Sequence, residues 1–140
     1  MRKNDRFFCD KRGNVFLEHV FLTFPLLLIG VVLLANAAMF FHAYQVVSSA
    51  SASGARTAAR MQDSSAIIQS VQKELQAGVL SISSPQFNSS TDVNIQFQDG
   101  AYCTVKVFYH FRFPFSFSKV GITVDETIHF SAGSSFLREW

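Results

Sequence analysis

The stretch RGNVFLEHVFLTFPLLLIG, residues Arg12 to Gly30, places a carboxylate, Glu18, at the start of a long apolar run. From Val20 to Phe41 the chain has no Asp, Glu, Lys or Arg. An apolar helix of about 20 residues spans the hydrocarbon core of a bilayer. The sequence therefore predicts one membrane helix. Because a charge inside such a helix costs free energy unless it is paired, Glu18 needs an explanation.

The residues before the apolar run are mostly basic. Their positive charges are Arg2, Lys3, Arg6, Lys11 and Arg12, against Asp5 and Asp10. Cytoplasmic flanks of membrane helices carry an excess of Lys and Arg, so we expect the N-terminus to stay in the cytoplasm and the rest to be exported. The net charge of +2 does not favour nucleic acid as a partner.

Three interpretations of this N-terminus compete. The helix is an uncut signal anchor, or it is a secretory signal cut at the small-x-small site Ala35-Asn36-Ala37. In the third interpretation the chain is cut after Gly13. Asn14 then becomes the new N-terminus and Glu18 the fifth residue of the mature chain.

The third arrangement resembles the type IV pilin class and, within it, the TadE-like proteins of the tight adherence (Tad) pilus system. The residues that carry the resemblance are Arg12-Gly13, Glu18, Pro25 before Leu26-Leu27-Leu28, Gly54-Ala55-Arg56 and Ala58-Ala59-Arg60. In that class a prepilin peptidase removes a basic leader after a glycine. The glutamate then pairs with the freed terminal amine of a neighbouring subunit.

The resemblance implies a non-enzymatic minor pilin or pseudopilin in the bacterial inner membrane, with its C-terminal domain in the periplasm, that assembles or primes a pilus or secretion apparatus. Its implied partners are the prepilin peptidase, other minor pilins, the major pilin, the inner-membrane pilus platform and membrane lipid. No nucleic acid, small-molecule substrate or cofactor is expected. The alternatives are a bitopic envelope protein whose exported domain binds another partner, and a small domain secreted by cleavage after Ala37.

The segment after the membrane has a helical pattern. Apolar residues recur every four positions at Ile67, Val71, Leu75 and Val79, which predicts an amphipathic helix. We expect one long helix, or two nearly coaxial ones, from about Asn14 to Gly78. A break near Gly54 is an option, and Gly78 is a candidate for the left-handed residue at the end. Pro25 is a candidate kink or an ordinary membrane-helix proline.

The C-terminal part changes to a period of two. Three strands are predicted, the first with Val93, Ile95 and Phe97, the second from Cys103 to Phe113, and the third near residues 122–132, with a hairpin turn at Asp99-Gly100. A three-stranded antiparallel sheet needs a partner layer, and the amphipathic helix supplies one. The expected fold is α+β and pilin-like. Its segments are a leader (1–13), a transmembrane helix (14–41), an extracytoplasmic helix (42–80) and a sheet headpiece (81–140).

Phenylalanine is unusually frequent, with 16 residues in 140. Phe113, Phe115 and Phe117 follow Phe111 on one face of the second strand. They are interpreted first as core and otherwise as a contact for a partner subunit. Pro114 indicates that this end of the strand is an edge or a bulge.

No motif for catalysis is present. The chain has no Gly-x-Ser-x-Gly, phosphate loop or HExxH sequence, and its histidines lack the carboxylates and cysteines of a metal site. His110 and His129 are expected to face each other across neighbouring strands. Cys9 and Cys103 lie on opposite sides of the predicted membrane, so they should not pair, and Cys103 is expected to be buried and inert.

Overall fold

The computed structural model describes residues 11–61, 63–98, 102–114 and 127–137, with side chains from Leu17 onward. Its elements are α1 (Lys11–Arg60), α2 (Ser64–Ala77), β1 (Val93–Gln98), β2 (Tyr102–Arg112) and β3 (Thr127–Leu137). The chain divides into two compact units, Met1–Ala35 and Asn36–Trp140. The boundary falls inside α1. The predicted α+β architecture, with a long apolar helix, a second helix and a three-stranded antiparallel sheet, is confirmed.

The described part of the first unit is the apolar half of α1. Its large side chains are exposed, among them Phe21, Leu22, Phe24, Leu26, Leu27 and Leu34. One helix in the described residues is long and apolar enough to cross a membrane, which is consistent with a single-pass anchor or a signal sequence. Pro25 lies in the interior of this helix. Its role as a kink stays a prediction.

In the second unit, α1 and α2 form a hairpin of helices. A Cβ atom built on Gly54 would lie 2.7 Å from Val71, and one built on Gly78 would overlap the side chain of Val46. From Val46 to Gly54 along α1, the contacted residue moves back along the chain from Gly78 to Val71. The two helices are therefore antiparallel. The expectation of a single helix or of two coaxial helices is wrong.

The break between the helices lies after Arg60, and not at Gly54. The carboxylate of Asp63 caps α2 by accepting hydrogen bonds from the Ser65 amide, at 2.9 Å, and from the Ser65 hydroxyl, at 2.8 Å. Gly54 is buried inside α1, where the absence of a side chain lets α2 and Val105 of β2 approach. The glycine serves close packing and leaves the helix intact.

The end of α2 also differs from the prediction. The residue with positive φ is Val79, at 60°, while Gly78 has φ −80°. The Val79 amide donates to the Gln76 carbonyl and the Leu80 amide to the Leu75 carbonyl, both at 2.9 Å, which is the Schellman arrangement. Val79 is 90% exposed, so it is not part of the buried stripe of α2.

The sheet has the strand order β1-β2-β3, with β2 in the centre and both pairs antiparallel. The register pairs Gln98 with Tyr102 and Tyr102 with Leu137. Three residues therefore join β1 to β2, as the hairpin prediction requires, although Asp99-Gly100 lies outside the described residues. β3 extends to Leu137, five residues beyond the predicted end. The predicted start of this strand, 122–126, also lies outside the described residues.

The core of the second unit lies between the helices and one face of the sheet. Small residues of α1 (Ala43, Ala50, Ala55, Ala58) meet Ile67, Val71 and Leu75 of α2 and the inner face of β2 (Cys103, Val105, Val107, Tyr109, Phe111). Alternation along β2 and the four-residue period of α2 are confirmed by this burial. The contribution of α1 follows from its small side chains, which allow close approach.

The aromatic residues at the end of β2 belong partly to this core. Phe111 is 8% exposed, and its ring lies 5.9 Å from that of Phe40 and 5.4 Å from that of Phe113, measured between centroids. Phe113 is half-buried. Packing in the core is thus confirmed for Phe111, and a partner contact at Phe113 stays a prediction. Phe115 and Phe117 lie outside the described residues.

Candidate assembly site on the N-terminal helix

The residues predicted to mediate processing and assembly all lie on α1. Gly13 and Asn14 are in its first turn, and Glu18 follows Asn14 by four residues. A helix rises 1.5 Å per residue, so Asn14 and Glu18 are about 6 Å apart along the axis and share a face. The structure therefore brings the backbone of the predicted cleavage site and the carboxylate to one side of one helix.

Glu18 is exposed. Among the side chains that the structure describes, none forms a hydrogen bond or ion pair with its carboxylate. The neighbouring contact is the Thr23 hydroxyl, which donates to the His19 carbonyl at 2.6 Å. A carboxylate next to exposed leucine and phenylalanine is costly to transfer into lipid unless a cation meets it. This arrangement can accept an ammonium or guanidinium group from another molecule.

The described residues also contain a histidine pair on the outer face of the sheet. His110 and His129 are directly opposite in the register, and their ring centroids are 4.4 Å apart, as predicted. No group of three or more metal-ligating side chains occurs in the described part of the chain. The pair is an edge-to-face ring contact.

Cys103 is buried in the core, which confirms its predicted position, and burial raises the pKa of its thiol. A raised pKa leaves less thiolate at neutral pH and so lowers reactivity. The thiol is therefore protected while the sheet and helices remain packed.

Sequence reasoning missed a cleft at the C-terminal end of α1. It has a volume of about 210 Å³ and is lined by Arg56, Ala59, Arg60, Phe136 and Leu137. The Arg56 guanidinium lies 5.5 Å from the centre of the Phe136 ring, a cation–π distance. Arg56 thus packs on β3 in addition to facing solvent. Nothing in the spacing of the arginines indicated an aromatic partner 80 residues away.

Comparisons with family models, with curated proteins and with solved structures give no match for this chain.

Proposed function

We propose that this chain is a membrane-anchored minor pilin or pseudopilin of the TadE-like kind, cut after Gly13 by a prepilin peptidase. It assembles or primes a Tad or type IV-like pilus or secretion apparatus and performs no chemistry itself. Its anchor lies in the bacterial inner membrane, with the leader in the cytoplasm and the sheet in the periplasm. Its partners are other minor pilins, the major pilin and the inner-membrane platform.

One observation carries the proposal. A single helix begins before Gly13, presents Glu18 on an exposed apolar surface, and continues until its second half packs on an antiparallel sheet. Glu18 has no cationic partner among the described side chains, so its carboxylate is available to a cation of a second molecule. A terminal amine at Asn14 of a neighbouring subunit supplies the opposite charge. The resulting ion pair stabilises one axial offset between the two helices.

The experiment compares Glu18→Gln with Glu74→Gln, a matched change on α2. Each variant is produced in the native host with an affinity tag, and partner subunits are measured in the material that co-purifies from solubilised membranes. We expect Glu18→Gln to insert and be processed normally but to lose most partners, because the amide has no charge to offer an amine. Glu74→Gln should retain them. Undiminished recovery of partners with Glu18→Gln would contradict the proposed role of the carboxylate.

A second candidate is a secreted domain released after Ala37. The favouring observation is that the compact second unit begins at Asn36, so a cut after Ala37 leaves its core intact. A mature chain that begins at Ala38 would establish this alternative.

A further inference from the structure

Within the described residues, the outer edge of β3 has none of the features that keep edge strands from pairing. An exposed edge is usually protected by short length, charge, proline, a bulge or a covering segment. β3 has 11 residues, and its sequence TIHFSAGSSFL contains no Asp, Glu, Lys, Arg or Pro. Its ladder with β2 is continuous from Tyr102–Leu137 to Arg112–Thr127, so no bulge interrupts it. At about 3.3 Å per residue, residues 128–137 of this edge span about 33 Å.

No described segment covers this edge. The three strands form one sheet in which β3 is terminal, and no described backbone group outside that ladder bonds to residues 128–137. α1 lies over the inner face of the strand. Phe40 contacts Phe130, at 5.4 Å between ring centroids, and the hydroxyls of Ser51 and Ser134 are 3.0 Å apart. The inner face of β3 is therefore occupied, while no described segment bonds to the outer edge of residues 128–137.

β1 forms the opposite edge of the sheet and is also uncharged, with the sequence VNIQFQ. Both outer strands are antiparallel to β2, so β1 and β3 run parallel to each other. α1 runs in the direction of β3 as well, because its residues 40, 51 and 56 meet residues 130, 134 and 136 in that order. The two edges of one chain thus have the same direction as the helix.

The direction of α1 selects the occupant. If β3 paired with β3 of a second copy about a two-fold axis, the strands would be antiparallel, and the chains would leave their second units at Asn36 in opposite directions. The proposed anchoring of every copy in one membrane favours helices that run in the same direction. If β3 paired with β1 of the next copy, the strands would be parallel, and the α1 segments of all second units would run in one direction. A head-to-tail contact of this kind repeats around a ring or along a helical filament.

We propose that the edge of β3 binds β1 of a neighbouring copy of this chain, in parallel, so that the sheets of adjacent subunits become continuous. Backbone hydrogen bonds provide the affinity, as in other cases of strand addition. The direction of the pairing rests on the proposed membrane anchoring. The contact itself lies in the second unit and is separate from Glu18.

Cross-linking tests the contact with two chains that each carry one introduced, exposed cysteine in addition to the buried Cys103. Ser135 on β3 and Gln96 on β1 are exposed and lie in the same row of the sheet, each opposite Thr104. Ser135→Cys and Gln96→Cys chains, both with Cys9→Ser and with different tags, are co-expressed in full length. Their membranes are treated with a bismaleimide about 10 Å long. This reagent is longer than the spacing of about 4.8 Å between paired strands, so it also joins cysteines that are not directly opposite each other. Gln76→Cys, at an exposed position on α2, replaces Gln96→Cys in the control for random collisions.

We expect the mixed Ser135–Gln96 adduct to exceed the Ser135–Gln76 adduct about tenfold, because pairing raises the local concentration of the two thiols. Adding Ser131→Lys to the Ser135→Cys chain should abolish this excess, since a lysine on an edge strand opposes pairing. Adding Thr104→Lys, on the same face of the central strand, should leave it.

Three results would overturn the inference. The first is a Ser135–Ser135 adduct without the mixed adduct, which indicates an antiparallel dimer. The others are a mixed adduct no more abundant than the control, and an equal loss of the mixed adduct in both lysine variants. If partners still co-purify through Glu18 in these cases, the proposed function stands without the sheet contact. A mature chain that begins at Ala38 would instead remove the proposed function, whatever the adducts show.

Discussion

The sharpest test of the described packing is the contact between Gly78 and Val46. A Cβ atom on Gly78 would overlap both methyl carbons of Val46, at separations that side chains do not adopt. The backbone of Gly78, with φ −80° and ψ 7°, suits alanine. Gly78→Ala should therefore gain about 0.5 kcal/mol from lower entropy of the unfolded chain and lose about 2.5 kcal/mol through overpacking. The expected net loss is about 2 kcal/mol.

The buried thiol of Cys103 provides the assay. Maleimide labels it when the sheet and helices open, so its labelling rate in native membranes or detergent reports the free energy of opening. A loss of about 2 kcal/mol corresponds to labelling about 30-fold faster, since each 1.4 kcal/mol is a factor of ten. The chain carries Cys9→Ser so that all labelling occurs at Cys103.

The double variant separates steric overlap from other causes. In a Val46→Ala background the overlapping methyl groups are gone, so Gly78→Ala should be neutral or slightly slower to label. The expected interaction energy between the two positions is about 2 kcal/mol, in the range found for residues in contact. If Gly78→Ala labels like the parent, or if Val46→Ala fails to rescue it, the antiparallel contact of α1 with α2 is wrong.

The remaining predictions concern the ends of α2. Val79→Gly should stabilise the fold by about 0.5–1 kcal/mol and so slow the labelling of Cys103. The left-handed conformation of Val79 costs a non-glycine residue about 1–2 kcal/mol, and the greater entropy of glycine in the unfolded chain offsets part of the gain. Faster labelling would contradict this prediction. Hydrogen bonds from the hydroxyl and amide of Ser65 lower the pKa of Asp63, so the folded chain holds this proton more weakly than the unfolded chain. Stability from this cap is present above the unfolded pKa of Asp and is lost as the pH falls through the lower folded pKa. In the parent chain, amide hydrogen exchange in the first turn of α2, corrected for intrinsic rates, should become faster in that acidic range. Asp63→Asn should remove this pH dependence. The same pH profile in both chains would refute the role of the carboxylate.

The periodic parts of the fold could be predicted from the sequence. β2 alternates strictly, and α2 repeats every four residues, so burial follows directly from the pattern. The small residues of α1 after the membrane run are of the kind that allows close helix packing. Glu18 could be singled out because a lone acid beside an apolar helix is costly, whatever the fold around it.

The parts that were missed depend on contacts distant in the sequence. Gly54 and Gly78 were interpreted as backbone signals, but each is small because a side chain from another element occupies its space. The cap at Asp63-Ser64-Ser65 is a local signal that could have placed the break between the helices. The end of β3 was missed because Ser134 and Ser135 break the alternation of apolar and polar residues that marks a strand.

The N-terminal residue and intact mass of the protein made in its native host test the central claim most directly. The proposal predicts a mature chain that begins at Asn14, with Glu18 as its fifth residue. A chain that retains Met1, or one that begins at Ala38, would contradict it.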